Sequence, residues 1–291
     1  MPARAAATSG LALGDIRLTY LADGIILMPP QSFYAGDTTE LFAAGGHVLD
    51  ERGDLVMSLG SLLIETAGKR VLVDLAWGPS AVDVSELTGG RHRGRVSGGG
   101  LLGSLASAGL APSDIDVVLL SHLHADHIGW LTTETAAGPA LTFDRAEHLL
   151  AESEWQYWAG SGTSRTAGPS EEQLSVLRDR FTPMADGSSP APGITAMHTP
   201  GHTPGHCSFV VSSGSARAVV LGDTLHCPLE IAHPELDLLA DVDPAAARAT
   251  RDRLRQELAA PDTTTVGTHF PDVVFGRVVP TEADRVFVPV S

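Results

Sequence analysis

The segment Ser121-His122-Leu123-His124-Ala125-Asp126-His127 places four side chains able to bind a metal, His122, His124, Asp126 and His127, within six residues. Imidazole nitrogen and carboxylate oxygen together suit zinc, manganese or iron. The segment follows Val117–Leu120, a short apolar run that reads as a buried strand. A strand end and the turn after it can aim several side chains at one point. Three later segments carry the same residue types at similar places. Thr199-Pro200-Gly201-His202-Thr203-Pro204-Gly205-His206 holds two histidines between Pro-Gly turns. Gly222-Asp223 ends one expected strand, and Gly267-Thr268-His269 ends another. The chain has no Gly-x-Ser-x-Gly turn, and hydrolysis at a metal site needs no nucleophilic serine or cysteine.

The elements that must present these groups are read from periodicity and turn signals. Asp15–Tyr20 alternates as a strand. Leu55–Glu65 and Arg70–Asp74 are apolar runs joined by Thr66-Ala67-Gly68-Lys69, which predicts a hairpin. Cys207–Val211 and Ala216–Leu221 flank Ser213-Gly214 as a second hairpin, and Thr263–Gly267 and Arg285–Val290 read as late strands. Leu101–Ala108, Arg145–Trp158 and Ser170–Arg180 are predicted helices, the last with Ser170 as its N-cap. Asp243-Pro244, an N-cap followed by Pro at the first helical position, opens a further helix to about Leu258. Thr88–Gly100, rich in Gly and Arg, and Ala159–Gly168, rich in Gly, Ser and Thr, read as loops over a site. Strands in groups with helices between them predict two sheets covered by helices rather than a pure parallel sheet. No repeat or linker divides the chain, so residues 1–291 read as a single domain.

Composition narrows the partners. The chain carries a net charge of -16, from 19 Lys+Arg against 35 Asp+Glu. Nucleic acid and anionic membranes both require a basic footprint, so neither is an expected partner. Cys207 and Cys227 could pair, but two cysteines are too few for a disulfide scaffold and are expected to be free thiols. No apolar run reaches the roughly 18 residues of a membrane span, and Met1–Gly14 lacks the apolar stretch of a secretory signal. The expected location is therefore the cytoplasm.

In the order and type of these motifs the chain resembles the metallo-β-lactamase fold superfamily over about residues 15–275. The resemblance implies an α+β fold, a four-layer αββα sandwich with a dinuclear metal site at the sheet edge. Carried over by motif, His122, His124 and His202 would bind one divalent ion. Asp126, His127 and His269 would bind a second, and Asp223 would bridge the two. Zinc is the expected metal, with manganese, iron and cobalt open. His206 and His198 are not expected ligands, and Asp74 is expected to orient ligands from behind. The implied chemistry is attack by a metal-bridging hydroxide, with Asp126 accepting and returning a proton.

Within that superfamily, Asp223 and the absence of an export signal speak against an antibiotic-destroying β-lactamase. The 22 residues after His269 are too few for the helical substrate domain of a glyoxalase II. Glu152-Ser153-Glu154-Trp155-Gln156-Tyr157-Trp158 and Thr268-His269-Phe270-Pro271 resemble segments of the lactonase, arylesterase and organophosphate-hydrolase group. The acyl-homoserine lactonases usually place a Tyr three residues after the bridging aspartate. His226 stands there instead, as in methyl-parathion-hydrolase-like enzymes, and is expected to hold a substrate oxygen. Phe33, Tyr34, Trp155, Tyr157 and Trp158 are expected near the substrate. His148 and His233 are expected on the surface or on a helix, and His92 in a solvated basic loop. The expected activity is hydrolysis of a small-molecule ester or lactone, with side activity on phosphotriesters. A pathway thioesterase or acyl hydrolase, a mononuclear iron sulfur dioxygenase and a non-catalytic ligand-binding member are the alternatives. Relatives commonly dimerise, so a homodimer is compatible with the resemblance.

Overall fold

The computed structural model describes residues 1–87, 90–160, 167–282 and 284–290. The first part of the chain builds one sheet. β1 (Ser9–Leu13) and β2 (Ile16–Met28) are followed by the short helix α1 (Thr39–Ala44), then by β3 (Leu55–Thr66) and β4 (Lys69–Val73). β5 (Ala81–Asp83), α2 (Val84–Leu87), β6 (Arg95–Ser97) and α3 (Leu101–Ser107) lead to β7 (Val117–Leu119). After the single turn α4 (Ala125–Ile128) comes a separate hairpin, β8 (Thr132–Thr135) and β9 (Gly138–Leu141). β10 (Glu147–Leu150), α5 (Glu152–Ala159), α6 (Glu171–Leu177) and β11 (Phe181–Pro183) complete this half. In space the strands run β11-β10-β7-β4-β3-β2-β6-β5, with β1 also paired to β2.

The second part builds the other sheet. Its strands are β12 (Ile194–His198), β13 (Cys207–Ser213) and β14 (Ala216–Val220), then β15 (Thr263–Val266), β16 (Phe275–Pro280) and β17 (Arg285–Pro289), adjacent in that order. α7 (Leu229–Ala232) and α8 (Pro244–Leu258) lie between β14 and β15, which pair in parallel.

The layering follows from strand alternation, because successive side chains point to opposite faces. Leu62, Ile64, Val71, Val73, Val117 and Leu119 of the first sheet meet Phe209, Val211, Ala218, Val220 and Val266 of the second in one core. Their neighbours Leu63, Leu72 and Val118 face outward under Leu101, Leu105, Leu174 and Leu177 of α3 and α6. Val219 likewise faces Leu254 and Leu258 of α8. Both faces of these central strands are thus buried, which explains why they read as continuous apolar runs. The result is helix, sheet, sheet, helix, the expected αββα arrangement.

Local signals are realised where they are strong. Ala67 (φ 46) and Gly68 (φ 78) make the two-residue turn between β3 and β4, as a hairpin with positive φ at both positions requires. Ser170 accepts from Gln173 N at the start of α6, and Asp243 accepts from Ala246 N at the start of α8. Cys207 and Cys227 are buried free thiols. Among the described residues no helix is long and apolar enough to cross a membrane.

Some expectations fail. Arg145–Trp158 is not one helix: Glu147–Leu150 is β10, and the helix begins only at Glu152. A short apolar run fits either period, and pairing with both β7 and β11 decides for the strand. His148 is therefore neither on a helix nor on the surface; it is fully buried in that strand. β2 continues past Tyr20 to Met28, because a bulge at Ala22/Gly24 absorbs the polar interruption. Arg95–Ser97, expected in a loop, pairs with β2 as β6. Residues 88, 89 and 161–166 of the two expected site loops lie outside the described residues.

Candidate metal centre

The ligand-type side chains gather where strands of both sheets stop. β7 runs out at Leu119, and His122 and His124 occupy the loop that follows. The turn of α4 then carries Asp126 and His127. His202 lies between β12 and β13, Asp223 in the turn after β14, and His269 just beyond β15. Two glycines make this approach possible. A Cβ on Gly201 (φ +137) would lie 2.2 Å from Ala247 N, and one on Gly222 (φ +57) would lie 2.6 Å from His206 Nε2. Larger residues would push the His202 and Asp223 turns away from the site.

Two groups result, His122/His124/His202/Asp223 and Asp126/His127/Asp223/His269, each with its candidate ligand atoms within 4.8 Å of one another. Asp223 belongs to both. Its Oδ2 lies 3.3 Å from His202 Nε2 and 3.6 Å from His122 Nε2. Its Oδ1 lies 2.9 Å from His127 Nε2 and 3.0 Å from His269 Nε2. Asp126 Oδ2 completes the second group at 3.8 Å from both of those nitrogens.

The far side of each ring fixes which nitrogen faces the site. His127 Nδ1 meets Asp74 Oδ2 at 2.9 Å, His202 Nδ1 meets Asp241 Oδ1 at 3.1 Å, and His269 Nδ1 meets the Ser58 carbonyl at 2.9 Å. Those partners only accept, so in the neutral ring, the form a cation needs, each Nδ1 carries the hydrogen and each Nε2 points its lone pair inward. His122 Nδ1 meets Ser121 Oγ at 3.0 Å, and that hydroxyl spends its own hydrogen on Asp74 Oδ2 at 2.8 Å. His122 Nε2 therefore also faces inward as an acceptor. His122 Nε2 and His202 Nε2 lie 2.9 and 2.8 Å from His124 Nδ1. At most one proton can serve those three nitrogens. The buried Asp223 Oδ1 has no hydrogen-bond partner among the described residues. This donor set fits divalent cations of the zinc, manganese or iron class.

The electrostatics agree. Burial, with neighbouring histidines, holds His122 and His124 well below the ordinary imidazole range. Burial also disfavours the charged form of His127, His202 and His269, but carboxylates override it. Asp223, Asp126 and Asp74 hold His127 well above its usual range, and Asp223 and Asp241 lift His202 to about 9. Asp223 similarly raises His269. Burial opposes ionisation of Asp223, yet the surrounding histidines keep its carboxyl well below the usual range. The carboxylates thus favour the protonated form of His127, His202 and His269 where no cation is bound, and cation binding would displace those protons.

The other expected residues sort by their contacts. His226 lies beside the site, its Nε2 3.2 Å from Asp223 Oδ2, its ring stacked on His269 at 5.4 Å and 12°. His206 is not in the ligand groups: its Nε2 accepts from Asp223 N at 2.9 Å and its Nδ1 meets Thr199 Oγ1 at 2.8 Å. His198 and His233 lie outside both groups. An apolar cavity of about 340 Å³ opens beside Asp126, walled in part by Ile26, Met28, Phe33, Met57, Trp77 and Leu239. His92 lies on its rim. The expected aromatic wall is only partly right. Phe33 lines the cavity, whereas Tyr34 is core and Trp155 packs on Phe181 at 4.9 Å. Trp158 is also core, with its ring 5.4 Å from that of His124.

Sequence reasoning missed the groups that tie the loops together. Buried Glu154 accepts from Leu123 N and Gly205 N, both at 3.0 Å, and so joins the two histidine loops. Asp241 orients His202 and is itself held by buried Arg251 at 3.1 Å. Asp23 accepts from the backbone of Trp77, Gly78, Gly99 and Leu101 and from Trp130 Nε1. An acidic residue next to Trp was the one visible signal for Glu154; Asp241 and Asp23 had none.

A family profile described as the metallo-beta-lactamase superfamily matches residues 61–269. Among curated proteins, an N-acyl homoserine lactonase of Agrobacterium fabrum is 29% identical over 186 residues, covering 60% of this chain and 65% of that protein. An N-acyl homoserine lactonase of Rhizobium johnstonii is 29% identical over 133 residues, 42% of this chain and 45% of that one. The match thus spans less than two thirds of either relative. Among solved structures, a probable metal-dependent hydrolase from Staphylococcus aureus aligns with TM-score 0.82 at 21% identity, over 97% of this chain and 99% of its own. AidC, described as a dizinc quorum-quenching lactonase, aligns with TM-score 0.80 at 23% identity, over 98% and 97%. At such identities the structural matches establish the fold.

Proposed function

Because this chain belongs to the metallo-beta-lactamase superfamily, we propose that it is a metal-dependent hydrolase of lactones and related carboxylic esters. The observation that carries the reading is Asp223, whose two oxygens face two separate histidine groups. His122, His124 and His202 would hold one divalent ion, Asp126, His127 and His269 a second, with Asp223 between them. Such ions polarise a carbonyl and acidify water at neutral pH. Zinc is the favoured metal on the ligand set, and a structural relative is described as dizinc.

The chain's own residues then have distinct tasks. His226 presents Nε2 at the edge of the site, where it would hold a substrate oxygen. Asp126 lies at the junction of site and cavity, a fifth exposed, and would take a proton and return it to the leaving oxygen. Ile26, Phe33 and Met57 border both the site and the cavity. They would exclude water and seat an apolar acyl or alkyl arm. The curated relatives are named for acyl homoserine lactones, whose lactone ring and acyl chain match these two compartments. Phosphotriesters would be a side activity. The absence of a long apolar helix among the described residues is compatible with a cytoplasmic enzyme.

The test is a rate panel of acyl-homoserine lactones, aliphatic lactones, aryl esters, thioesters and a phosphotriester. Protein as purified, after chelation, and after return of zinc or manganese would be compared. Turnover of lactones or esters that is lost on chelation and restored by metal is expected. Turnover of thioesters alone, or of nothing with two ions bound, would overturn the reading.

A further inference from the structure

We propose that Glu230 and Tyr34 form a clamp that positions His226 against Asp223, making both positioning residues for the hydrolysis. The proposal rests on the function proposed above. Glu230 Oε2 accepts from the His226 backbone N–H at 2.6 Å, and Glu230 Oε1 accepts from the Tyr34 hydroxyl at 2.5 Å. Glu230 and Tyr34 are each 1% exposed. No Lys or Arg pairs with Glu230 in the ion pairs of the described residues; its sole ionic neighbour there is His226 Nδ1 at 3.8 Å. A buried carboxylate without a cation is destabilising unless hydrogen bonds offset it. Here those bonds run to the Tyr34 hydroxyl and to the backbone of His226, whose imidazole meets the Asp223 carboxylate without belonging to either ligand group.

The rest of the surroundings leaves His226 little freedom. Its ring is stacked on His269 and meets Phe33 edge-on at 4.9 Å. Phe33 and Tyr34 are stitched to the segment that borders the cavity, through Ala35 N to Asp237 O at 2.8 Å and Leu239 N to Phe33 O at 2.9 Å. The stacking contacts set the ring plane, and Glu230 sets the backbone from which the ring projects. Together they turn Nε2 toward Asp223 Oδ2 at 3.2 Å. Displacement of a reacting group by about 1 Å costs about 100-fold, so a clamp of this kind acts on turnover rather than on substrate affinity.

Glu230→Gln keeps the shape but offers an N–H where Tyr34 or His226 needs an acceptor, and Tyr34→Phe removes one hydroxyl. Each is expected to lower kcat, by about 10- to 100-fold for Glu230→Gln and less for Tyr34→Phe. KM should stay within about twofold and metal content should be unchanged. In a His226→Ala background, Glu230→Gln is expected to add no further loss. The imidazole ¹⁵N shifts of His226 in the metal-free protein should move in both variants. Full kcat in Glu230→Gln, or the same fold-loss with and without His226, would overturn the clamp. If Glu230→Gln does not fold, Tyr34→Phe decides by the same criteria. A wild-type protein that turns over nothing in the panel defeats the proposed function instead. The ¹⁵N shifts then decide the clamp, and unmoved shifts reject it.

Discussion

Replacing Asp74 by Asn should weaken the centre although Asp74 is not one of its ligands. Asp74 Oδ1 accepts from Ser121 N at 2.7 Å, and Oδ2 accepts from the Ser121 hydroxyl at 2.8 Å and His127 Nδ1 at 2.9 Å. Asn tolerates the positive φ of 59° at this position, so the backbone stays and only the chemistry changes. With the amide oxygen kept on Ser121 N, the amide N–H groups face His127 Nδ1 and the Ser121 hydroxyl. His127 Nδ1 must then accept, which moves its hydrogen to Nε2 and into the site. The Ser121 hydroxyl must also accept, so its own hydrogen turns to His122 Nδ1 and displaces that ring's hydrogen to Nε2. One substitution thus turns two inward lone pairs into N–H groups. Loss of such an orienting partner costs about 10- to 100-fold in metal affinity, which is about 1.4 to 2.8 kcal/mol per site. Titration of metal-free protein with zinc against a chromogenic chelator should show weaker binding at both ligand groups, with His122 reporting the other tautomer by ¹⁵N NMR. Wild-type affinity at both sites would refute the reasoning.

Other consequences follow from the same contacts. Arg251→Met removes the cation from Asp241 and loosens the hold on His202; about tenfold weaker binding of one ion, and less change at the other, is expected by chelator competition. Ala240 borders both site and cavity. Ala240→Trp should raise KM several-fold, on the order of 1 kcal/mol of lost apolar contact, for long-chain lactones and leave short-chain lactones unaffected. His148 is held down to about 4 from 6.5 by burial. The unfolded chain therefore binds a proton that the fold refuses, and stability falls as pH drops from about 6.5 toward about 4. Denaturant unfolding of metal-free protein at pH 7 and pH 4.5 should show His148→Gln losing less than wild type, by on the order of 2 kcal/mol. Parallel losses in the two proteins would contradict this.

The candidate ligand groups were legible because their signal is local. His122, His124, Asp126 and His127 lie in one stretch, Asp223 follows an apolar run that reads as a buried strand, and His269 follows the β-branched run Thr263–Val266. The layered fold was legible for the same reason, since runs such as Val117–Leu120 with no polar face require cover on both sides. The run around His148 was misread because its few apolar residues fit helix and strand alike, and only pairing to two neighbours resolves the choice.

What the sequence hid is the set of groups that aim the ligands. Asp241 reaches His202 across 39 positions, and Glu154 joins loops 31 and 51 positions away; Asp74, which meets His127 across 53 positions, was expected only through the family resemblance. An aspartate that orients a histidine and one that merely meets solvent look alike until the sheets are stacked. The difference is energetic as well as geometric. A ligand-type side chain can be exposed at no cost, but a buried carboxylate such as Asp241 or Glu230 is tolerated only where its partners stand ready. Such groups therefore mark the places where the fold commits stability to the site.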